Sequence, residues 1–311
     1  YASTVSNGTV ALHTALLALG IGPGDEVLVP TLTYIASVNA ITYCGAKPVF
    51  VDSDSDTWLM NPSLLKNKIT SKTKAILCVH LYGLACDMDN ILKIAKEHNL
   101  YVIEDAAEAI GTKYKNKHVG PLGDIGTFSF YGNKTITTGE GGMVVTNDKT
   151  LFERVEHFKG QGLAKYREYW HDVIGYNYRL TNMQAAVGVA QLERVEQIIE
   201  KKRKVALTYT KKLSRQINSG KLTIQHENDN TFHSYWMFCV LLSTKYNRDN
   251  VRNFLREKGI ETRPVFYPIH LMPMYAKQFQ KFSVSEDIGR RGINLPSYPD
   301  LSEKEIAYIC D

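Results

Sequence analysis

The chain has 311 residues, of which 44% are hydrophobic, and it carries a formal net charge of +5. This length predicts one large and one smaller domain, while the weak, dispersed positive charge excludes a nucleic-acid-binding protein and suits a small anionic substrate. No apolar run approaches the roughly 18 residues of a membrane span. The five cysteines form no C-x-x-C pair, which argues against a zinc site or disulfides and favours reduced thiols in the cytoplasm.

The first two-thirds of the sequence alternates short apolar runs with helical patterns, beginning with a helix over Val10–Leu19 and including another over Met88–His98. Such alternation predicts a three-layer α/β sandwich with a mostly parallel sheet. The short spacing between the last two runs indicates that one of those strands is antiparallel. The predicted strands are Glu26–Pro30, Pro48–Asp52, Ala75–His80, Tyr101–Glu104, Gly126–Phe130 and Gly142–Thr146.

The pattern then changes to a long amphipathic helix over Thr181–Ser214. A strand over Ser234–Leu242, a helix over Arg248–Lys258 and a Pro-rich stretch follow, which is typical of a smaller α+β domain. We therefore predict a large domain over residues 1–200 and a small C-terminal domain over residues 201–311.

The motif Ser6-Asn-Gly-Thr9 stands directly before the first predicted helix. Backbone N–H groups at a helix N-terminus are unpaired and aided by the helix dipole, so Gly8 and Thr9 are candidates for binding a phosphate. The alternative is an ordinary N-cap, which the same residue types provide in many helices.

Asp105 follows the predicted strand Tyr101–Glu104, at the edge where open α/β sheets build their sites. A carboxylate there either caps the next helix or pairs with the ring nitrogen of a pyridine cofactor. Further along, Ser129 lies in the predicted strand that ends at Phe130, and Lys134 lies in a turn-rich loop five residues later. A lysine amine can form an imine with a carbonyl cofactor. A phosphate cradle, a carboxylate and a lysine are the groups that pyridoxal 5'-phosphate requires.

These motifs, taken together, resemble the DegT/DnrJ/EryC1/StrS family of sugar aminotransferases, which belong to fold type I of the pyridoxal-phosphate enzymes. The resemblance extends along nearly the whole chain. It rests on Ser6–Leu12, Gly22–Val27, Pro30–Ala36, Gly45–Val49, His80–Gly83, Glu104–Ala107, the Ser-Phe-x-x-x-Lys to Gly-Glu-Gly-Gly block over Ser129–Gly142, and Ile174–Arg179.

The resemblance implies a role for each matching residue. Lys134 would form the imine with pyridoxal 5'-phosphate and move the proton during the reaction, and Asp105 would pair with the ring nitrogen. Gly8, Thr9 and Ser129 would hold the phosphate, and Tyr34 would stack on the ring. Glu108 stands where the family commonly has glutamine or histidine near the ring oxygen, so its role is open.

Further residues extend the site. Asn177 matches an asparagine that reaches the phosphate of the neighbouring subunit, so a homodimer with shared active sites is implied. Arg179 and His270 match substrate-facing positions, although Arg179 could instead be a structural ion-pair residue and His270 a hydrogen-bonded loop residue. Family members carry a segment before the Ser-Asn-Gly-Thr motif, and because only five residues precede Ser6 and no methionine opens the chain, we expect a fragment or a trimmed chain. What is shown contains no secretory leader.

Within the family, the sequences of Phe128–Met143 and Trp170–Arg179 are most similar to those of the subgroup that aminates the C4 keto group of GDP-4-keto-6-deoxymannose, with glutamate as the amino donor. The product is GDP-perosamine, a precursor of O-antigen sugars. The alternative substrates are UDP- or dTDP-linked 4-keto-6-deoxyglucose.

The sequence argues against three other classes of protein. A dehydratase of the same fold has histidine at the lysine position, and Lys134 argues against it. A non-catalytic scaffold would not need Lys134, Asp105 and Ser129 together. A dinucleotide-dependent sugar dehydrogenase needs G-x-G-x-x-G after its first strand, and no such run stands there.

Overall fold

The computed structural model describes residues 1–277 and 279–311. Within these residues the strands are β1 Ala2–Val5, β2 Glu26–Pro30, β3 Lys47–Val51, β4 Thr73–Val79, β5 Tyr101–Asp105, β6 Lys113–Tyr114, β7 Lys117–His118, β8 Ile125–Ser129, β9 Gly142–Val145, β10 Leu222–Ile224, β11 Thr231–Phe232, β12 Phe238–Leu242, β13 Arg263–Pro264 and β14 Gly292–Leu295.

The α-helices of the same residues are α1 Gly8–Ala18, α2 Ile35–Tyr43, α3 Met88–His98, α4 Lys149–Lys159, α5 Asn182–Leu192, α6 Val195–Lys212, α7 Ser214–Asn218, α8 Arg248–Glu257, α9 Ser283–Arg291 and α10 Glu303–Cys310. Single 3-10 turns cover Pro62–Leu64, Lys66–Lys68, Leu81–Gly83 and Ile269–Leu271. Among the described residues, no helix combines the length and apolar character that crossing a bilayer requires.

The main sheet has seven strands in the order β1-β9-β8-β5-β4-β2-β3. Strands β2, β3, β4, β5 and β8 are mutually parallel, and β9 pairs antiparallel with both β8 and β1. The prediction of a mostly parallel sheet with one antiparallel strand near its end is therefore confirmed. The edge strand β1 was not predicted, because four residues at the start of a sequence carry too short a pattern.

Both faces of the main sheet are buried, as strands of continuous apolar character require. Along β4, Ile76 and Cys78 contact one hydrophobic cluster while Ala75 and Leu77 contact another on the opposite face. Because successive side chains of a strand point to opposite faces, the two clusters are two core layers. Helices cover the sheet on both sides, which confirms the predicted α/β sandwich.

A second sheet, in the order β10-β12-β14-β13, lies in the C-terminal part of the chain. Tyr209 of α6 and Ile306 of α10 pack with Phe238 and Ile293 of this sheet in a third hydrophobic cluster. A small antiparallel sheet joins β11 to the β6–β7 hairpin. Residue 200 falls inside α6, and the division of the chain at that position stays a prediction.

The single helix predicted over Thr181–Ser214 was wrong, since the structure has α5, α6 and α7 there. Arg194 has φ −113° and ψ 6°, which interrupts the helical path after Glu193. No glycine or proline marks the break, so the sequence pattern gave no signal for it. The predicted strand Ser234–Leu242 begins only at Phe238, because Tyr235 adopts a left-handed φ of 51°.

Candidate active site

The carboxyl ends of the central parallel strands form the floor of the candidate site. Asp105 is the last residue of β5 and is 4% exposed. Ser37 Oγ donates to Asp105 Oδ2 at 2.6 Å and the amide of Ala107 donates to Oδ1 at 3.1 Å. These two donors fix the orientation of a buried carboxylate, whose remaining acceptor capacity faces the cavity.

The N-terminus of α1 lies against the end of β8. The side chain of Asn7 accepts the amide of Val10 at 3.0 Å, whereas the first amides of a helix have no carbonyl partner within it. A Cβ added at Gly8 would lie 2.7 Å from Ser129 Cβ and 2.9 Å from Ser129 Oγ. Glycine is therefore required for this close approach, which places the N-terminus of α1 beside the hydroxyl of Ser129, an arrangement suited to an anion.

Lys134 lies in the turn between β8 and β9, where its amide donates to the carbonyl of Tyr131 at 2.9 Å. Its side chain is 13% exposed. The Nζ atom lies 3.7 Å from Glu108 Oε1 and 3.8 Å from the centre of the Trp236 ring. The amine is thus held between a carboxyl group and an aromatic face.

Glu108 is a buried carboxyl group with one backbone partner, the amide of Tyr82, which donates to Oε2 at 2.8 Å. Burial raises the pKa of Glu108 to about 7, although Lys134 and the Tyr82 amide act in the opposite direction. Burial therefore favours the protonated form of Glu108, in which one carboxyl oxygen can donate a hydrogen bond.

These groups line one cavity of about 590 Å³, a size suited to a small ligand. Tyr34 stands at its wall, 56% exposed, with its ring 5.7 Å from that of Phe266. The predicted site residues that line this cavity are Gly8, Thr9, Tyr34, Asp105, Glu108, Ser129 and Lys134. The arrangement offers an anion corner, a buried carboxylate and an amine around a common space.

The structure does not bring the other three predicted residues into this cavity. Asn177 and Arg179 are exposed on the segment that follows α4. His270 is 3% exposed, and its ring nitrogens lie 2.7 Å from Thr31 Oγ1 and 3.2 Å from Glu286 Oε1. The geometry of His270 corresponds to the hydrogen-bonded alternative rather than to a substrate-facing residue, because both nitrogens already have protein partners.

Sequence reasoning missed two groups that touch the site. Ser37 holds Asp105 from α2, and Trp236 covers Lys134 from the segment before β12. Both contacts join residues far apart in the sequence, and neither residue belongs to a motif that requires it, so no signal in one sequence could have found them.

A buried polar network lies around Glu104, the residue directly before Asp105. His80 Nε2 lies 3.0 Å from Glu104 Oε2, and Glu104 also accepts the amides of Gly120 and Gly123. Burial opposes the ionisation of Glu104, but these partners hold its pKa below the ordinary value. The network joins the ends of β4 and β5, so it fixes the residue next to Asp105.

Comparison with known proteins gives consistent results. A profile of the DegT/DnrJ/EryC1/StrS aminotransferase family matches residues 1–311. The chain is 62% identical to the GDP-perosamine synthase of Escherichia coli O157:H7, covering 100% of this chain and 84% of that protein. It is 49% identical to the GDP-perosamine synthase of Vibrio cholerae, covering 100% and 85%.

A solved structure extends the likeness to three dimensions. The X-ray structure of S. venezuelae DesV in complex with a ketimine intermediate superposes with a TM-score of 0.94 at 35% identity, covering 100% of this chain and 83% of that one. The described fold thus has a counterpart over its whole length among solved structures. The chain belongs to the DegT/DnrJ/EryC1/StrS aminotransferase family.

Proposed function

We propose that this enzyme transfers the amino group of glutamate to the C4 keto group of GDP-4-keto-6-deoxymannose and forms GDP-perosamine, with pyridoxal 5'-phosphate as its cofactor. The observation that carries the proposal is the shared cavity of Lys134, Asp105 and the Gly8–Thr9 corner. An amine, a carboxylate and an anion site around one space are the groups that amino transfer with this cofactor needs.

The chemistry of the donor set fits the cofactor. The Gly8, Thr9 and Ser129 corner would hold its phosphate, Asp105 would pair with its ring nitrogen and Tyr34 would contact its ring. Gly8 has no room for a Cβ, as expected where a backbone approaches both a side chain and a ligand closely. When bound, pyridoxal 5'-phosphate supplies an electron sink that stabilises negative charge at the carbon bearing the amino group.

The chain's own residues supply the proton transfers. We assign to the Lys134 amine, which is mostly shielded from water, the removal and return of a proton at the substrate carbon. In its protonated form Glu108 would donate a hydrogen bond from Oε1 to the ring oxygen of the cofactor, while its Oε2 accepts the Tyr82 amide. A neutral carboxyl group would avoid the repulsion that a second negative charge creates beside an anionic oxygen.

The identity of the sugar nucleotide rests on likeness to relatives. Two proteins named GDP-perosamine synthase match the full chain at 62% and 49% identity, which supports the GDP-linked substrate. UDP- and dTDP-linked 4-keto-6-deoxyglucose are the alternatives, because a few side chains at the cavity mouth decide such a preference.

The decisive test incubates the protein with glutamate and each of the three keto sugar nucleotides, and identifies the products by mass spectrometry and NMR. We expect GDP-perosamine from the GDP-linked sugar. Lys134→Ala is expected to abolish amino transfer and the imine absorbance that borohydride bleaches, with circular dichroism unchanged. Full activity of Lys134→Ala would defeat the assignment of Lys134 as the reactive lysine. An aminated product from only the UDP- or dTDP-linked sugar would show that this sugar, and not the GDP-linked one, is the substrate.

We further propose a homodimer with shared active sites. The segment from residue 163 to residue 192 exposes many apolar side chains, among them Tyr169 at 92%, Ile174 at 86% and Met183 at 82%. An exposed apolar surface of this kind is typical of a subunit interface. Asn177 lies in the same segment and outside its own cavity, as a residue serving a partner's site would.

Mixing variants tests the sharing of sites. A dimer formed from one Lys134→Ala chain and one Asn177→Ala chain has one site in which both residues are intact. We expect the two inactive or weakened homodimers to regain activity after subunit exchange. Two Lys134→Ala preparations mixed in the same way are the control, and a failure of the mixed pair to exceed its parents would contradict shared sites.

We place the enzyme in the cytoplasm and its product in the assembly of O-antigen lipopolysaccharide. The cysteines are all free thiols, four of them buried, which supports a reducing compartment. Loss of O-antigen staining in a deletion strain, restored by the wild-type gene but not by Lys134→Ala, tests the placement.

A further inference from the structure

Trp236 contacts the lysine loop with both parts of its side chain. Its ring centre lies 3.8 Å from Lys134 Nζ, and its Nε1–H donates to the carbonyl of Asn133 at 2.8 Å. The first contact is with the reactive amine and the second is with the residue directly before it. One side chain therefore contacts both the amine of Lys134 and the peptide group that precedes Lys134.

The contact has the geometry of a cation–π interaction. A lysine ammonium within about 6 Å of an indole face is attracted by the ring quadrupole, and the attraction strengthens when water is excluded. Trp236 is 5% exposed and the Lys134 side chain is 13% exposed. The indole face at 3.8 Å and Glu108 Oε1 at 3.7 Å are thus both partners of the same amine.

Two cavities share Trp236 as a lining residue. One contains Asp105 and Ser129, and the other, of about 660 Å³, is lined by residues of the C-terminal strands and α10. Lys134 lines both cavities as well. Its side chain therefore borders open space outside the cavity of Asp105 as well as within it, and a fixed contact is needed to hold the amine at one position.

We infer that Trp236 is a positioning residue that holds the free Lys134 amine in the cavity of Asp105 and Ser129. The inference rests on the proposed function in that Lys134 is taken as the reactive lysine. Trp236 acts through Lys134, and the aromatic face and the Nε1–H donor contribute separately.

The two contributions can be separated by substitution. Trp236→Phe keeps an aromatic face but loses the donor to Asn133. Trp236→Leu keeps apolar cover but loses both. Trp58→Phe is the matched control, because Trp58 is a fully buried tryptophan of the same hydrophobic cluster whose Nε1 has no hydrogen-bond partner among the described residues.

The first measurement needs no amino-transfer activity. In cofactor-free protein, reductive methylation of the Lys134 peptide is followed against pH by mass spectrometry, since only the neutral amine reacts. We expect the pH of half-maximal labelling to fall by about one unit in Trp236→Leu, because the ammonium has lost its aromatic partner. It should stay within about 0.3 unit of wild type in Trp236→Phe and Trp58→Phe.

The charged groups that share the two cavities with Lys134 are unchanged in every variant, so the comparison isolates the indole. They are Asp105, Glu108, Glu140, Lys202, Glu261, Arg263 and Glu305.

The second measurement is the affinity for pyridoxal 5'-phosphate, titrated by absorbance. We expect the dissociation constant to rise about fivefold in Trp236→Phe, which corresponds to the loss of one hydrogen bond. It should rise further in Trp236→Leu and stay unchanged in Trp58→Phe. Wild-type labelling and wild-type affinity in Trp236→Leu would overturn the inference. If Trp236→Leu does not fold, unchanged affinity in Trp236→Phe overturns it alone. A protein that makes no aminated sugar yet shows the labelling shift would refute the proposed function and leave the contact to Lys134 standing.

Discussion

Replacing Glu108 with glutamine should change how the stability of the protein depends on pH. Glu108 is buried and its pKa is raised from 4.5 to about 7. A carboxyl group with a raised folded-state pKa binds its proton more tightly in the folded protein than in the unfolded chain. Its contribution to stability is therefore complete below pH 4.5 and is lost as the pH rises through about 7.

The size of the effect follows from the displacement of the pKa. Each unit corresponds to 1.36 kcal/mol, so the full contribution is about 3 kcal/mol, of which about 2.5 kcal/mol is lost between pH 5 and pH 8. Glutamine keeps an oxygen for the Tyr82 amide but does not titrate. The free energy of unfolding of Glu108→Gln should thus rise relative to wild type by about 2.5 kcal/mol across this range.

The assay is urea unfolding of cofactor-free protein at half-unit steps between pH 5 and pH 8, followed by circular dichroism. Glu257→Gln, which changes an exposed glutamate, is the control and should run parallel to wild type. Parallel curves for wild type and Glu108→Gln would refute the reasoning, since they would mean that Glu108 ionises alike in the folded and unfolded chains.

Two further predictions concern the walls of the cavity. Gly8→Ala should lower the free energy of unfolding by about 1–3 kcal/mol and weaken cofactor binding, because its Cβ would lie 2.7 Å from Ser129 Cβ. Urea unfolding measures the first effect and absorbance titration the second. The control Gly22→Ala, at a residue with open space around it, should change neither, so equal behaviour of the two variants would count against close packing at Gly8. Ser37→Ala should lower the free energy of unfolding by about 1–3 kcal/mol, because it removes the 2.6 Å hydrogen bond to the buried Asp105. Thermal unfolding checks this, with Ser219→Ala at an exposed position as the control. A loss of stability no larger than the control's would show that Asp105 does not depend on Ser37.

The sequence was most informative where function depends on local spacing. Asp105 directly follows an apolar strand and Lys134 follows Ser129 in a short turn, so the sequence places Asp105 at the carboxyl edge of the sheet and Lys134 in the loop after the next strand. The two large core layers were also predictable, since continuous apolar strands between helices have few other arrangements.

Contacts between distant residues were beyond reach for a physical reason. The indole of Trp236 reaches Asn133 across 103 positions, and His270 is tied to Thr31 across 239. One sequence does not say which polar groups will meet once the chain is folded. The break between α5 and α6 also left no trace, because the residues on both sides are good helix formers.

The hydrogen bond from Trp236 to Asn133 has a consequence for how the enzyme matures. A truncated chain ending before residue 236 would include Lys134, Asp105 and Gly8, but no indole would contact the Lys134 amine. During synthesis, the N-terminal layers can assemble long before that indole leaves the ribosome. Under the proposed function, retention of pyridoxal 5'-phosphate would therefore depend on a residue that is synthesised after the whole main sheet.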